Sequence, residues 1–573
     1  MRNPEVVKLL YDLADLLEIG GVQWKPAALR KAARSIESLS KDIAVIYREE
    51  GAKGLLDIDG VGEGIAKKIV EFLETGKVGE FEEQKKKLPK GLPELMNIQG
   101  LGPKKVMKLY RTLRIDSVGK LEEAARRGRI RQLPTFGEKS EQDILLGISL
   151  LKRGQERKLL GRILPLAEDI AKKLRSCGEV KHVAIAGSIR RRKESVRDVD
   201  ILVVSHHPKK VMDVFTKLPE VQSVLAQGDT KSSVVLKAGL NADLRIVEEK
   251  SYGAALNYFT GSKDHNIRLR QIAIKRGYKL SEYGLFDDGT NKYVCGKTEG
   301  ELYKKLGMTY IEPEMRENTG EIELALKHKI PTIVPYNALK GDFHMHTTWT
   351  DGNATTEDMI KAALNLGYEY IAITDHSKST RVANGLDERR LVKRLEEIER
   401  LQNKFPKIKI FKGGEVDILR NGGLDYEDET LKKFDVVIAS VHSSFKLSKK
   451  EMTERIVKAL ENPYVKILGH PTGRLIHQRN SYDVDLDKIF STAAERNVAL
   501  EINAHPQRLD LGDHNIRKAL GYKVKFVINT DAHDVSELSF MHYGIAQARR
   551  GWATKRDVVN TLPYSRIVPW AKN

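Results

Sequence analysis

Along the first 150 residues apolar positions recur every three to four residues in short stretches, such as Val6 to Glu18 and Lys25 to Glu37, with glycine-rich turns between them. That spacing predicts short amphipathic helices and an all-α region. From about Lys181 the pattern changes to β-branched runs: His182-Val-Ala-Ile-Ala, Val199-Asp-Ile-Leu-Val-Val, Ser233-Val-Val-Leu and Ala242-Asp-Leu-Arg-Ile-Val. These predict a small sheet with helices beside it, an α+β domain. Lys329-Ile-Pro-Thr-Ile-Val-Pro-Tyr, with two prolines four apart, reads as an extended linker. Beyond it, strand-like and helix-like stretches alternate to the end, which predicts a parallel, wound α/β domain.

At 573 residues the chain is too long for one core and reads as three to five domains. No stretch approaches 18 uninterrupted apolar residues, and the start, Met1-Arg-Asn-Pro-Glu-Val-Val-Lys, lacks the apolar run of a signal peptide. Membrane insertion and secretion are therefore not expected, and the cytoplasm is the expected compartment. Only two cysteines occur, Cys177 and Cys295, too few for a disulfide framework or a cysteine zinc ribbon. The net charge of +19 is uneven: residues 1 to 335 carry +14 and residues 336 to 573 carry +5. A polyanion-binding surface is expected mainly in the first part. Ten of the fifteen histidines lie in the second part, where metal chemistry is expected.

Two segments share one plan, Leu56-Asp-Ile-Asp-Gly60-Val-Gly62-Glu-Gly64-Ile-Ala-Lys-Lys-Ile and Met96-Asn-Ile-Gln-Gly100-Leu-Gly102-Pro-Lys104-Lys105-Val. In each, bare backbone N–H groups at a helix start can approach a phosphate that a Cβ would block. Both resemble the helix-hairpin-helix motif, which grips DNA backbone without reading sequence. Leu133-Pro-Thr-Phe-Gly137-Glu-Lys is a weaker third copy. An amine at Lys68, on the helix after the first hairpin, could form a Schiff base with an abasic sugar if its pKa were lowered; a solvated surface lysine is the favoured reading.

The stretch Ala186-Gly187-Ser188-Ile-Arg190-Arg191 leading to Asp198-Val-Asp200-Ile-Leu-Val-Val carries the chemistry of the first half. On a strand, Asp198 and Asp200 project to one face while Val199 and Ile201 pack behind. Adjacent carboxylates suit a two-metal phosphoryl transfer with Mg²⁺ or Mn²⁺, and Asp243 is the candidate third carboxylate. Gly187 and Ser188 offer N–H and hydroxyl to a triphosphate, and Arg191 could stabilise the departing charge. Leu256-Asn-Tyr258-Phe259-Thr-Gly261-Ser and the following Asn266 and Arg270 bear on substrate class.

Between residues 342 and 533 seven apolar runs each finish in a candidate ligand or polar residue, among them Asp342-Phe-His344-Met-His346, Tyr370 to His376, Ile408 to Glu415, Asp435 to His442, Val465 to His470, Ala499 to Asn503, and Val524 to Asp531-Ala-His533. Polar residues at the C-terminal ends of seven strands predict a barrel with its site on that rim. Asp351, in the loop after the first run, joins them. Mixed nitrogen and oxygen ligands admit Zn²⁺, Mn²⁺ or Fe²⁺. Arg474, after a Gly-His-Pro turn, is a candidate phosphate clamp.

Residues 1 to about 318 resemble the family X DNA polymerases, and residues 340 to 573 resemble the polymerase and histidinol phosphatase (PHP) family. The resemblance implies an all-α helix-hairpin-helix region with a lyase-like domain (1–85) and fingers (86–150), an α+β nucleotidyltransferase palm (151–248), a thumb (249–318), a linker (319–338) and a distorted seven-stranded (β/α) barrel (339–573). It places Tyr258 and Phe259 at the nucleotide sugar, Asn266 near the base edge, Arg270 on the template side and Lys68 at the lyase lysine. Gly64 stands where animal members commonly carry another lysine. The PHP nine-ligand pattern falls on His344, His346, Asp351, His376, Glu415, His442, His470, Asp531 and His533, which in that family hold a three-metal cluster. The implied activity is template-directed gap filling in base excision repair, with dNTPs on gapped or primer-template DNA, by a monomer. A Mn²⁺-dependent 3′-to-5′ exonuclease accompanies it, with abasic-site endonuclease or 3′-phosphatase work open. Two alternatives stand: a fused small-molecule phosphatase, and a DNA-end scaffold without catalysis.

Overall fold

The computed structural model describes residues 3 to 572 except 20, 21, 23, 38–42, 88–90, 96, 97, 99, 100, 139, 143, 146, 149–156 and 179. It divides into two compact units: Met1–Arg157 with Thr216–Asp243 and Ile267–Cys295, and Lys158–Phe215 with Leu244–Asn266 and Gly296–Asn573. The cuts run inside the expected palm and thumb.

In the first unit, helices Asn3–Ile19, Lys25–Glu37, Ile43–Leu56 and Glu63–Thr75 bury one stripe each. Val6, Leu10, Leu13 and Leu17, spaced four, three and four, meet Leu29, Ala33 and Ile36 in one core. A second core gathers Leu92, Leu95, Val106, Leu109, Leu121 and Ile144. The three glycine turns share a backbone plan. Val61 N–H bonds Ile58 O at 2.9 Å, Leu101 N–H bonds Ile98 O at 3.0 Å, and Phe136 N–H bonds Leu133 O at 3.0 Å. Each is followed by a helix whose fourth N–H bonds back to Gly62, Gly102 or Gly137. The left-handed position that Gly60 fills at φ +82° is taken in the third turn by Thr135 at φ +76°.

Strands are numbered along the chain: β1 Lys158–Leu159, β2 Val180–Ile185, β3 Ser195–Val196, β4 Asp198–Ser205, β5 Val221–Gln227, β6 Lys231–Leu236, β7 Asn241–Ile246, β8 Tyr278–Ser281, β9 Gly284–Asp287 and β10 Tyr293–Cys295. In the second unit β2 pairs antiparallel with β4, and helix Leu160–Arg175 packs on β2. In the first unit β5 pairs antiparallel with β6, and β8, β9 and β10 form an antiparallel meander. The sequence pattern did not reveal β5, because its residues alternate between half-buried and exposed and none is fully buried.

The rest of the second unit is a ring of seven parallel strands in sequence order: β11 Gly341–Asp342, β12 Tyr370–Ile373, β13 Lys409–Asp417, β14 Val436–Ser440, β15 Val465–Leu468, β16 Ala499–Asn503 and β17 Phe526–Asn529. The first and last strands meet beyond their ends, where Met345 bridges Ala532 and His346 N–H donates to Ala532 O at 2.8 Å. Phe343, Tyr370, Phe411, Val436, Ile438 and Ile467 are buried together. Within the expected linker, residues 329–335 hold no helix and Ile333 bridges Thr554. Glu321–Leu326 is a helix, and Val334 is fully buried with its N–H on Ala553 O at 2.8 Å, because Ile333 and Val334 are apolar and pack beside the barrel's last turn.

Candidate active site

Strand β4 alternates as expected. Val199 and Ile201 are buried, Asp200 is half-buried and Asp198 is exposed. The Gly-Ser turn lies directly against this strand: Ala186 N–H donates to Asp200 O at 2.8 Å. Gly187 has φ +61°, and a Cβ there would sit 2.2 Å from Asp200 Oδ2. Only glycine allows both the backbone angle and the approach. Arg191 is already engaged, its Nε on Glu317 at 3.1 Å and its Nη1 on the carbonyls of Thr260 and Gly261 at 2.6 and 3.3 Å. It thereby ties the Gly-Ser turn to the Tyr-Phe-Thr-Gly turn. Phe259 carries Arg245 over its ring at 4.6 Å and Tyr258 on its edge, and Asn266 Nδ2 donates to Tyr258 O at 2.5 Å. In the first unit, Asp243 stands on β7 with Lys231 Nζ 3.4 Å away, and Arg270 is half-buried on helix Lys263–Lys275.

In the helical region Gly62 and Gly102 cap their helices without a side-chain bond, and a Cβ at Gly62, Gly64 or Gly102 would meet open space. Gly60 has a different reason. Its Cβ would come within 3.0 Å of Lys31, and its φ is left-handed, so the turn and its neighbour helix require glycine without reference to a phosphate. Gly100 and the Lys104 side chain lie outside the described residues. Lys105 sits 5.8 Å over Phe136. Lys68 is not a solvated amine but pairs with Glu80 at 2.9 Å and donates to Gly64 O at 3.0 Å.

The nine expected ligands converge at the C-terminal rim of the barrel. Eight of them form three groups whose donor atoms lie within 4.8 Å: His346, Asp351, His376 and His533; His344, His346 and Asp531; and His376, Glu415 and His442. His470 belongs to none of these but lies 3.0 Å from Glu415. Glu415 is the hub, 2.8 Å from His376, 3.2 Å from His442 and 3.4 Å from His344. The left-handed backbone at His470 (φ 24°) and Asp531 (φ 55°) is strain of the kind stored at functional sites.

Several buried polar atoms here have no hydrogen-bond partner: His344 Nε2, both ring nitrogens of His346, His376 Nδ1, His470 Nδ1 and Glu415 Oε2. Orphaned imidazole and carboxylate atoms aimed at one another are the donor set of a divalent cation, so the residues fit one. Electrostatics agree. Burial, which lowers the basicity of an imidazole, is outweighed by Glu415 at His376 and His442, which rise to about 9 and about 10. Burial together with the neighbouring His376 and His533 depresses His346 to about 3. Burial raises a carboxyl, yet the surrounding imidazoles hold Glu415 and Asp531 well below the usual range.

Sequence reasoning missed Glu501 and Asp417, which orient this cluster, and had Asn503 only as the polar end of its run. Glu501, fully buried on β16, lies 2.7 Å from His344 Nδ1 and accepts His470 N–H at 2.6 Å. Asp417 lies 2.9 Å from His442 Nδ1, and Asn503 donates to Asp531 at 3.0 Å. The signal for Glu501 was a lone carboxylate inside the apolar run Ala-Leu-Glu-Ile-Asn. Arg474 does not line the cavity. Its guanidinium is spent on Arg508 O at 3.0 Å, Leu509 O and Glu194 at 2.8 Å. Arg508, 3.2 Å from Asp531, and Arg479 line the cavity instead.

Known proteins match along the whole length. The helix-hairpin-helix domain model matches residues 1–78, a SAM-like helix-hairpin-helix tandem 92–149, the DNA polymerase beta thumb 255–317 and the PHP domain 342–505. The chain is 38% identical over 575 residues to the DNA polymerase/3′-5′ exonuclease PolX of Bacillus subtilis, covering 100% of both chains. It belongs to the family X DNA polymerases with a PHP domain. A repair DNA polymerase X of African swine fever virus is 35% identical over 147 residues, 24% of this chain and 82% of the viral one. A probable phosphatase of Thermoanaerobacter is 30% identical over 232 residues, 38% of this chain and 89% of its own. Members of this PolX family thus combine parts that also occur separately. Among the described residues no helix is long and apolar enough to cross a membrane.

Proposed function

We propose that the chain is a DNA-directed repair polymerase that also shortens 3′ ends, with the two reactions at separate sites. The observation that carries the second site is the convergence of nine nitrogen and oxygen ligands, Glu415 at their hub, at the barrel rim. Full-length likeness to a polymerase/3′-5′ exonuclease carries the pairing of the two activities.

For nucleotide addition, Asp198, Asp200 and Asp243 are assigned the divalent cations, Mg²⁺ or Mn²⁺, and Gly187 and Ser188 the triphosphate. Arg191 holds the Thr260-Gly261 turn in place, so that Tyr258 and Phe259 face the nucleotide. For hydrolysis, His344, His346, Asp351, His376, Glu415, His442, His470, Asp531 and His533 are assigned up to three cations of Zn²⁺, Mn²⁺ or Fe²⁺. Bound there, such cations supply Lewis acidity to a phosphodiester and raise the nucleophilicity of water near neutral pH. Glu501 and Asp417 fix the imidazole orientations, and Arg508 stands where it can meet a phosphate. DNA is the macromolecular partner, held by the helical hairpins through its backbone.

The test uses a 5′-labelled primer on a gapped template with Mn²⁺, with and without dNTPs. Extension with dNTPs and shortening without them is the expected result. Asp200→Ala should abolish extension and keep shortening, and His344→Ala should do the reverse. Loss of both activities in either variant would reject separate sites.

A further inference from the structure

The cavity over the histidine cluster is larger than the chemistry of a phosphate requires. It encloses about 450 Å³, and more than half of the residues lining it are not expected metal ligands. The loops after β14 and β15 supply two of the ligands, His442 and His470, and also Phe445, Leu475 and Arg479 of the lining. There the Arg479 guanidinium lies 4.1 Å from the centroid of the Phe445 ring, and its Nε–H donates to Gly473 O at 2.9 Å. Phe445 is itself backed by Tyr482, stacked at 6.3 Å and 24°, whose hydroxyl donates to Pro471 O at 2.7 Å. Gly473, at φ +62°, leaves room for this assembly, since a Cβ there would sit 2.6 Å from the Tyr482 ring. Leu419, Leu475 and the fully exposed Val382 add apolar surface beside Ser379, Thr380 and Ser443.

A guanidinium seated on an aromatic ring and held by a carbonyl has little rotational freedom left to lose. It presents a planar cation to whatever enters, and the planar group carried by a DNA end is its base. A sugar phosphate has nothing that uses such a wall. Arg508 pairs with the ligand Asp531 at 3.2 Å, whereas Arg479 is held by Phe445 and Gly473 O.

We infer that Arg479, seated on Phe445, stacks the base of the 3′-terminal nucleotide and makes this cavity a nucleotide site and not a general phosphate site. The inference rests on the exonuclease reading above and names the part of the substrate that reading leaves open. Phe445 is a positioning residue acting through Arg479.

The experiment compares single-turnover removal, by the full chain with Mn²⁺, of a terminal thymidine nucleotide and of a terminal tetrahydrofuran nucleotide that lacks a base, from otherwise identical oligonucleotides. The wild type should prefer the base-bearing end by roughly tenfold, the scale of one stacked base. Arg479→Ala should erase that preference by slowing the base-bearing end alone. Arg479→Lys, which keeps the charge and loses the plane, should behave like the alanine variant, and Phe445→Leu should fall between. Because the readout is a ratio within one preparation, partial unfolding cancels. Equal slowing of both ends by Arg479→Ala, or no preference in the wild type, would overturn the stacking role. Failure of the wild type to shorten either end would overturn the exonuclease reading on which it rests.

Discussion

Arg550, on the helix Met541–Arg550, donates Nη1–H to the main-chain carbonyl of Arg191 at 2.7 Å. The same guanidinium reaches Glu317 at 3.2 Å, the carboxylate that also holds Arg191 Nε, and Asp513 at 2.5 Å. An arginine of the PHP region is therefore wired into the Gly-Ser turn that precedes β4. Burial would raise Glu317, but Arg550, Arg191 and Lys193 together keep it below the usual carboxylate range. Truncating Arg550 leaves two cations for one carboxylate and a bare Arg191 carbonyl. Arg550→Met should raise the KM for dNTP about tenfold, the weight of one charge-assisted hydrogen bond, while exonuclease in the same preparation is kept. Arg550→Lys should recover part of the loss. Steady-state kinetics of both reactions decide it, and an equal fall in the two would mark Arg550 as structural.

Gly187 offers a sharper perturbation of the same turn. Alanine there brings a methyl to 2.2 Å from Asp200 Oδ2 and must also hold φ +61°. The carboxylate has to move by about an ångström, a displacement of the size that costs roughly a hundredfold in rate. Gly187→Ala should lose nucleotide addition to that extent with nuclease intact. Primer extension and shortening on the same substrate give the two numbers.

How much of this was legible in the chain differs between the two sites. Eight of the nine barrel ligands could be read because they fall at or near the ends of apolar runs that strands β11 to β15 and β17 reproduce, while Asp351 lies in the loop after the first. Glu501 could not be read, since a carboxylate in mid-strand is defined by the imidazole it faces, His344, 157 residues away. Arg474 was misjudged for the same reason: its sequence neighbours suggested a phosphate, and its spatial partner is Glu194. The expected linker differs from its reading only in burial. Its prolines speak for an extended chain, but Ile333 and Val334 between them are apolar enough to be buried. Gly60 illustrates a motif residue whose conformation has its own cause.

Glu501 provides a test of the cluster that leaves all nine ligands in place. Its Oε1 fixes the His344 ring and its Oε2 the His470 main chain, with Asn529 Nδ2 at 3.0 Å on the same carboxylate. Glu501→Gln keeps the volume and offers His344 Nδ1 a weaker acceptor. Orienting groups of this kind are worth about ten- to a hundredfold in metal affinity. Isothermal titration of the chelator-stripped chain with Mn²⁺ should show that weakening, along with a matching shift in the Mn²⁺ needed for half-maximal nuclease. Unchanged affinity would remove Glu501 from the site.

Glu299 sets a pH dependence of stability in the second unit. It sits between Arg316, fully buried, at 2.6 Å and Arg190 at 2.7 Å, with Tyr310 hydroxyl at 3.1 Å. Burial alone would raise its pKa; the Arg316 and Arg190 charges outweigh it and bring the group from 4.5 down to about 2. A folded-state pKa below the unfolded one means stability that is present above about pH 4.5 and lost as pH falls towards about 2, amounting to about 3 kcal/mol at neutrality. Glu299→Gln also strands the Arg316 charge, for which breaking a buried pair costs about 3–5 kcal/mol. Thermal midpoints of wild type and variant should be well separated at about pH 6 and should draw together as pH is lowered to about 3, because the unfolded wild-type chain then takes up a proton at Glu299 that the folded chain does not. A gap constant across that window would mean that Glu299 does not carry the charge that holds Arg316 and Arg190 together.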